Sequence, residues 1–364
     1  MTKTDAEVDT DAGEVRLPKI KMPNAIDMLK YGEGYAVTAS DGVIISEYDA
    51  ATGALHDTKI DWLTNARGLA IRQDNMSLWA IGDDHVQYCQ FSGGAYSDDP
   101  ALKSSGLTEV LSVDSIEGTN RAVVLSRTNS GKAKITRYRA GASLTVELEK
   151  ELDIGEPVAL SVVDGTPDVV VVTKTGKHYL MFDDATQNYI EDTARKASGY
   201  SNIVSASANQ DGTAILEGDK GQYLQDDDAG GTQKVLAYSA GQVPGALAVS
   251  LKPGAYDQAF ITETGEVQYF IYDDATDQMT RLPELEATGL QLMQEYVHPG
   301  EYHSKVVSTG ADYDTVKLTA LTETPTGTGI VFYVSTDSGA TWTEITPGQW
   351  EDAHLVGNLL SRRY

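Results

Sequence analysis

The chain has 364 residues, a formal net charge of −26 at pH 7 and a single cysteine, Cys89. A negative field of this strength repels nucleic acids and anionic membrane surfaces, so neither is expected as a partner. One cysteine excludes an intrachain disulfide framework, and no apolar stretch approaches the length of a membrane-spanning helix.

Residues 1–23 predict a flexible acidic N-terminal arm. The segment is polar and acidic and then changes to the short basic, proline-bounded stretch LPKIKMP. It lacks the apolar core of a signal peptide, so no cleaved leader is expected. Asp outnumbers Glu in the whole chain by 33 to 21. Acidity concentrated in turns suits a protein of high or marine salt, where screening reduces self-repulsion.

Residues 24–292 carry six copies of one pattern. In each copy a mostly apolar run meets a short polar turn, and an alternating run then ends near an aromatic residue. The turn positions recur at intervals of 42, 47, 45, 45 and 44 residues, which is the period of four-stranded propeller blades. These turn positions are Gly42, Asp83-Asp84, Gly131, Gly176, Gly221 and Gly265.

Each copy also opens with a further strand candidate, for example over residues 68–72, 158–163 and 245–251. A lone sheet of three or four strands leaves its faces uncovered, so the copies must pack on one another, and radial closure leaves few open edges. The expected fold is therefore all-β, a β-propeller of six or seven blades. An ordinary β-sandwich is the alternative. The 19 tyrosines are expected on sheet surfaces and partner-facing rims.

Residues 293–364 predict a separate, small antiparallel β-sandwich-like module. Strands are expected near 303–308, 314–322, 330–335, 341–346 and 357–363. The competing interpretation is a seventh blade, because Gly310 follows Gly265 by 45 residues. The segment Pro299 to Tyr302 also resembles the segment Pro253 to Tyr256.

An S-x-D-x-G-x-x-W motif lies in this C-terminal part and matches the Asp-box of sialidases and related propeller glycosidases. Its Ser and Asp side chains bond backbone amides of a hairpin turn, its Gly adopts a positive φ, and its Trp packs beneath the turn. The box is structural in those families. A single box and the lack of an arginine trio argue against sialidase chemistry. The four residues are Ser335, Asp337, Gly339 and Trp342.

About 60 C-terminal residues resemble a small β-module found in tail and fibre-associated proteins of tailed bacterial and archaeal viruses. The resemblance implies a structural or host-attachment role in the virion, and it departs from the usual pattern in an abbreviated last strand. The matching residues are Ser304, Lys305, Val306, Gly310, Pro325, Gly327, Tyr333, Val334, Ser335, Asp337, Gly339, Thr341, Trp342, Thr346, Pro347 and Gly348.

Sequence motifs for cofactors and catalysis are missing. The six histidines include one close pair, His298 and His303, and form no zinc signature; phosphate-binding loops and nucleophile elbows are absent as well. We expect no cofactor, although paired acidic residues in turns could hold Ca²⁺. The acidic turns are Asp83-Asp84, Asp183-Asp184, Asp226-Asp227-Asp228 and Asp273-Asp274.

The sequence therefore predicts a virion structural protein of a tailed virus, located in the virion and acting by binding rather than catalysis. Tail fibre, baseplate component and capsid decoration stay open. Its expected partners are other virion proteins and a host surface glycan or protein, with several copies in each particle. One alternative is a glycan-cleaving propeller, which needs two carboxyl groups roughly 5 to 10 Å apart. Another is a cellular surface-binding module.

Overall fold

A computed structural model describes residues 25–225 except 65 and 83, residues 243–292 except 277, and short segments elsewhere. The chain divides into two compact units. One unit spans Lys21–Met293, and the other combines Met1–Ile20 with Gln294–Tyr364. The sequence interpretation treats the arm 1–23 and the module 293–364 as separate segments, whereas this division places Met1–Ile20 and Gln294–Tyr364 in one unit.

The unit Lys21–Met293 is a six-bladed β-propeller. Six antiparallel four-stranded sheets follow one another along the chain, and the part of the chain that the structure describes contains no α-helix. Each blade except blade 2 uses four consecutive strands, and the strands of every blade are numbered one to four from the axis outward. Blade 2 inserts a hairpin, Phe91–Ser92 with Ala95–Tyr96, and the 3₁₀ helix Pro100–Leu102 before its fourth strand.

The strands of the first three blades have the following bounds. Blade 1 contains Ile26–Met28, Gly34–Ala39, Gly42–Asp49 and Ala54–Ile60; blade 2 contains Gly68–Ile71, Leu78–Ile81, His85–Cys89 and Lys103–Ser105; blade 3 contains Val110–Ile116, Arg121–Arg127, Ala133–Ala140 and Leu144–Leu152.

The remaining blades repeat this arrangement. Blade 4 contains Pro157–Val162, Val169–Thr173, Gly176–Asp183 and Asn188–Ser198; blade 5 contains Ile203–Ala208, Gly212–Glu217, Lys220–Gln225 and Lys234–Leu236; blade 6 contains Ala246–Leu251, Gln258–Thr262, Val267–Asp273 and Gln278–Arg281.

Burial is highest in the second strands and falls from there to the rim, which explains the sequence pattern; the first strands, which line the axis, combine buried with half-buried residues, as in Val110–Ile116. The second strand of blade 4, Val169–Thr173, is buried at every residue, since both of its faces pack on neighbouring blades. The fourth strand of blade 3, Leu144–Leu152, is mostly exposed and alternates apolar with charged residues. Continuous apolar runs therefore mark inner strands, and mixed runs mark outer edges.

The ring closes directly between blade 6 and blade 1. The Met28 N–H donates to Ser250 Oγ over 2.9 Å, and Tyr269 of blade 6 donates to Glu33 of blade 1 over 2.6 Å. A shared apolar cluster includes Val37 and Ile261 from the two blades. The seventh-blade interpretation is therefore wrong, because the sixth blade already contacts the first.

A strap formed by residues 282–292 covers this junction. It contains the 3₁₀ helix Pro283–Leu285, and Leu285 is buried in the shared cluster. The Val267 N–H donates to the Ala287 carbonyl over 2.9 Å, and the Ser40 N–H donates to the Gln291 carbonyl over 2.7 Å. The strap thus bonds blade 6 at one end and blade 1 at the other.

The second unit is also built of antiparallel strands. Within the predicted arm, Glu7–Asp9 pairs with Glu14–Arg16. Tyr313–Lys317 pairs with Trp350–Leu355, a strand that the sequence interpretation missed. Phe332–Ser335 pairs with Thr343–Ile345 and with Ser361–Arg363. The strand expected at 303–308 lies outside the described residues.

Candidate functional site

The propeller axis contains a narrow cavity. It is lined by residues from the first strands of all six blades and has a volume of about 100 Å³. Small-molecule sites are typically about 300–1,000 Å³, so the axis has room for a few water molecules rather than a substrate. Polar groups line the cavity at Asp27, Asp114, Ser161, Ser207 and Ser250.

These polar residues occupy one position in the repeat, which we call the junction ring. Each member lies near the end of a first strand and pairs with the matching residue of the second strand. The junction ring consists of Asp27, Ala70, Asp114, Ser161, Ser207 and Ser250 in blades 1 to 6.

Junction-ring side chains bond each blade to the next. In every member except Ala70, the side chain accepts a hydrogen bond from a backbone N–H of the following blade. The donor is the residue directly after that blade's own member of the junction ring. The donors are Ile71 to Asp27 at 2.6 Å, Val162 to Asp114 at 2.8 Å, Ala208 to Ser161 at 3.0 Å, Leu251 to Ser207 at 3.0 Å and Met28 to Ser250 at 2.9 Å.

Ala70 breaks the pattern between blades 2 and 3, because its methyl group accepts no hydrogen bond. Asp114 compensates, since its Oδ1 accepts the Ser115 N–H of its own blade over 2.7 Å. The Ser115 hydroxyl then donates to the Ile71 carbonyl over 2.9 Å and links the two blades.

Asp27 and Asp114 are the two carboxyls of the junction ring. Both are half-buried, and both line the axial cavity. Burial, reinforced by the charge of Asp114, raises the pKa of Asp27 to about 8. Burial raises the pKa of Asp114 to about 6, against the hydrogen bonds that it accepts from Val162 and Ser161.

A second polar cluster lies on the mouth face, defined as the propeller face at which the first strands end. The Lys30 ammonium donates to Glu117 Oε1 and lies 3.7 Å from Asp164 Oδ1. These three side chains follow the first strands of blades 1, 3 and 4, so the lysine reaches across the ring. Their exposed fractions are 24%, 23% and 14%, so the cluster is partly shielded from solvent.

Glu117 and Asp164 form a hydrogen-bonded carboxyl pair. Burial, followed by the contact with Glu117, raises the pKa of Asp164 to about 6, whereas the hydrogen bond from Asp164 lowers the pKa of Glu117. Asp164 therefore keeps the shared proton to a higher pH than Glu117 does. Carboxyls in hydrogen-bond contact are closer than the separation of roughly 5 to 10 Å that glycosidases use.

Another ion pair completes the mouth face at the closing junction. The Lys252 ammonium of blade 6 lies 2.7 Å from Glu33 Oε1 of blade 1, and the Tyr269 hydroxyl donates to Glu33 Oε2. Both carboxylate oxygens of Glu33 therefore bond blade 6, which makes this cluster part of the ring closure.

The predicted turn glycines lie at the turn between the second and third strands, on the face opposite the mouth face. Gly131 and Gly265 lie within this turn, and Gly42 and Gly176 begin the third strand. The prediction that Gly221 is a turn residue is wrong, because Gly221 is the second residue of the strand Lys220–Gln225. Gly218, with φ of +56°, provides the turn in blade 5.

The acidic turns on the mouth face stabilise themselves. In the D-x-A-T turn of blade 4, Asp183 accepts the Ala185 N–H over 3.0 Å and the Thr186 hydroxyl over 2.6 Å. Asp49 and Asp273 do the same in blades 1 and 6. Among the described residues, no group of three or more His, Cys, Asp or Glu side chains could hold a metal ion.

The Asp-box falls largely outside the described residues. Ser335 ends the strand Phe332–Ser335, whereas Asp337, Gly339 and Trp342 are not described. Of the acidic turns, Asp83 and Asp226-Asp227-Asp228 also lie outside, as do His298 and His303. Cys89 is buried in blade 2, where it packs in an apolar cluster.

Of the two places expected for the tyrosines, sheet surfaces and rims, the sheet surfaces between blades hold several of them. A buried tyrosine occupies the third strand of five blades, because its ring fills the gap between adjacent sheets. These residues are Tyr88, Tyr138, Tyr179, Tyr223 and Tyr269. Tyr31 on the mouth face, at 69% exposure, is the clearest exception.

Sequence reasoning missed the junction ring and the Lys30 cluster. The signal for the junction ring was present, since Ser or Asp occupies one position in five of the six first strands. The Lys30, Glu117 and Asp164 cluster has no local signal, because its members come from three different blades.

Comparison with known proteins adds little to this description. No protein-family model matches the sequence, and no curated protein matches it. The structure of U3-55K is 11% identical, with a TM-score of 0.49, 75% of this chain covered and 85% of that chain. The RRP9 WD40 repeats are 11% identical, with a TM-score of 0.49 and coverage of 75% and 84%.

A functionally unknown protein from Desulfotomaculum acetoxidans DSM 771 is also 11% identical, with a TM-score of 0.48 and coverage of 69% and 78%. Similarities this weak carry no argument about function. In the described part of the chain, no helix is long and apolar enough to cross a membrane.

Proposed function

We propose that this chain is a structural component of a tailed-virus particle and that it acts by binding. The axial cavity of about 100 Å³ carries the binding part of the proposal. The junction-ring side chains that line it bond one blade to the next, so these groups stabilise the propeller. The surfaces left for binding a partner are therefore the two faces and the rim. The virion part is supported by the C-terminal resemblance, including Tyr333 and Thr346.

The propeller suits rigid display. The second strands of its blades are buried almost throughout, and its acidic turns are held by their own side chains, so both faces present loops on a stiff support. Repetition of the protein around a particle axis would add many weak contacts into firm attachment. The partners proposed are other virion proteins and a host surface glycan or protein.

Labelling of intact particles tests the location. An antibody against the full chain should decorate purified virions, and the protein should co-migrate with infectious particles on a density gradient. Its presence only in the soluble fraction of infected cells would overturn the proposal.

Adsorption of the purified full chain to host cells tests the binding role. Tyr31→Ala removes an exposed aromatic ring from the mouth face, and Trp62→Ala removes one, 36% exposed, from the opposite face. Loss of adsorption with one variant and not the other identifies the binding face. Release of sugars from host envelopes, abolished by Glu117→Gln, would instead favour the glycosidase alternative.

A further inference from the structure

Three arginines lie together at the mouth face of blade 3. Arg121 begins the second strand, and Arg137 and Arg139 lie near the end of the third strand. Arg121 pairs directly with Arg139 across the two strands, and Arg137 precedes Arg139 by two residues. All three side chains therefore project from the same face of the sheet. We call these three residues the arginine cluster.

The arginine cluster lies on the side of blade 3 that packs against blade 4. Val123, the cross-strand partner of Arg137, belongs to the apolar cluster that the two blades share. The guanidinium carbon of Arg137 lies 4.4 Å from the centroid of the Phe182 ring of blade 4. The cluster is therefore located where the junction of blades 3 and 4 reaches the mouth face.

Among the described residues, Glu147 is the one carboxylate that forms ion pairs with the cluster. Its Oε2 accepts a hydrogen bond from Arg121 Nε over 2.7 Å and lies 3.2 Å from Arg137 Nε. Arg139 is exposed and has no ion pair within the described part of the chain. Three positive charges thus face one negative charge, in a chain whose net charge is −26.

The mouth-face carboxyls of blade 4 leave this excess of positive charge in place. Asp168 accepts the Phe182 N–H over 2.7 Å and the Tyr179 hydroxyl over 3.2 Å. Asp183 is held by its own turn, and the exposed Asp184 forms no ion pair with a described residue. None of these three carboxyls is therefore a counterion of the arginine cluster.

Arg137 has hydrogen-bonding capacity that the protein does not use. Its side chain is 12% exposed, and its Nη1 is buried without a hydrogen-bond partner among the described residues. A buried donor that lacks an acceptor is costly, and like charges directly opposite one another, as in Arg121 and Arg139, destabilise a sheet. An anion bound at the cluster would reduce the repulsion and balance the charge of Arg137.

The chemistry of the cluster favours a carboxylate as that anion. The planar fork of a guanidinium group donates two parallel hydrogen bonds to a carboxylate. Glu147 shows that the cluster accommodates this group, because one of its oxygens contacts two of the three arginines. The net charge of −26 repels densely charged polymers, although salt screens this repulsion beyond about 8 Å. A sugar chain with widely spaced carboxylates therefore fits better than a nucleic acid.

We propose that the arginine cluster is a binding site for the carboxylate of an acidic sugar in a host surface glycan. Arg121 and Arg139 donate hydrogen bonds to the carboxylate, and Arg137 supplies positive charge beside them. The assignment rests on the proposed binding role and names the chemical class of its glycan partner. The sequence interpretation found no arginine trio, because only the pairing of the second and third strands brings Arg121 beside Arg139.

Binding of two matched sugars to the full-length protein tests the site. The acidic probe is a decasaccharide of alternating glucuronic acid and N-acetylglucosamine, and the neutral probe is the same chain after reduction of its carboxyl groups. The wild type should bind the acidic probe about tenfold or more tightly than the neutral one, the factor expected for a charge-assisted hydrogen bond. Equal affinity for the two probes, or no binding of the acidic probe, would overturn the proposal.

Substitution of the exposed arginine locates the binding. Arg139→Gln should weaken binding of the acidic probe by about tenfold, and Arg139→Lys should restore part of it, because an ammonium group lacks the planar fork. The matched control is Lys132→Gln, which removes one positive charge from an exposed turn on the opposite face of blade 3. It should bind as the wild type does.

Equal weakening in Arg139→Gln and Lys132→Gln would reveal a general effect of net charge and would count against the site. If Arg139→Gln does not fold, the comparison of the two probes on the wild type still decides the proposal.

Adsorption to host cells separates this site from the proposed function. If the wild type and Arg139→Gln adsorb equally well, the binding role stands and the assignment of its ligand fails. If the wild type binds the acidic probe through Arg139 but does not adsorb to cells, the site stands and the host-attachment role fails.

Discussion

Two turn glycines show how one residue type carries different structural demands. Gly131 and Gly265 have φ of +82° and +75°, and both lie between the second and third strands of a blade. A β-carbon at Gly131 would meet no atom within 4 Å, whereas one at Gly265 would lie 2.2 Å from the Leu290 carbonyl oxygen. Gly265 is thus required twice, because it adopts the positive φ of the turn and leaves room for the strap at Leu290.

Alanine substitution should separate the two demands. Gly131→Ala is expected to lower the free energy of unfolding by about 1–2 kcal/mol, the cost of a left-handed conformation. Gly265→Ala should cost about 1–3 kcal/mol more, because the strap must move. Urea unfolding of both variants measures the difference. Equal losses would show that the contact with Leu290 carries no energetic weight.

At the scale of elements, the junction ring shows that blades are joined by hydrogen bonds as well as by apolar packing. Five junctions use the same side chain to backbone bond, and the junction after Ala70 uses a substitute from Asp114 and Ser115. A buried N–H without an acceptor is costly, so these bonds restrict which residues the position tolerates.

Reciprocal substitutions test the junction ring. Ser207→Ala leaves the buried Leu251 N–H without its acceptor and should lower the free energy of unfolding by about 1–3 kcal/mol. Ala70→Ser adds an acceptor from blade 2 for the Ser115 N–H, which Asp114 already accepts within blade 3, and should raise the free energy of unfolding by about 0.5–1 kcal/mol. Chemical denaturation measures both changes. A destabilised Ala70→Ser variant would mean that the substitute already satisfies this junction.

The strap of residues 282–292 is a second element that holds blades 6 and 1 together. Leu285 and Leu102 are matched, since each is a buried leucine ending a Pro-x-Leu 3₁₀ helix, but Leu102 lies within blade 2. Substitution of either by alanine should lower the free energy of unfolding by about 2–5 kcal/mol.

Hydrogen exchange should distinguish the two leucine variants. Leu285→Ala is expected to lower the protection of Ile26–Met28 and Ala246–Leu251, the first strands at the junction of blades 1 and 6, whereas Leu102→Ala should affect blade 2 and leave these two strands protected. Loss of their protection in both variants would contradict a local role for the strap.

At the scale of the whole molecule, the main feature is the negative net charge of −26. With 54 acidic and 28 basic residues, the folded chain repels itself, and added salt screens that repulsion. Thermal unfolding should therefore move to higher temperature as NaCl rises from about 0.05 to 1 M. An unchanged or lower midpoint would show that the ion pairs, such as Lys252 with Glu33, outweigh the net charge.

Calcium at matched ionic strength separates screening from specific binding. Because Asp49, Asp183 and Asp273 are engaged by their own turns, CaCl₂ should raise the midpoint no further than NaCl does. A larger shift with CaCl₂, reversed by a chelator, would reveal a calcium site.

The sequence by itself determined the blades. Strand alternation and turn residues act over a few neighbouring residues, so the period predicted the propeller, and strands such as Gly68–Ile71 and Ala246–Leu251 lie within a residue of their predicted bounds. Gly221 was misplaced because two glycines stand three residues apart in that turn.

Only the tertiary structure decided how the blades meet. Closure at six, the burial of the tyrosines and the contact of Lys30 with Glu117, 87 residues away, depend on the angle between neighbouring sheets. That angle results from packing across the whole ring, and the local pattern of a single blade does not encode it.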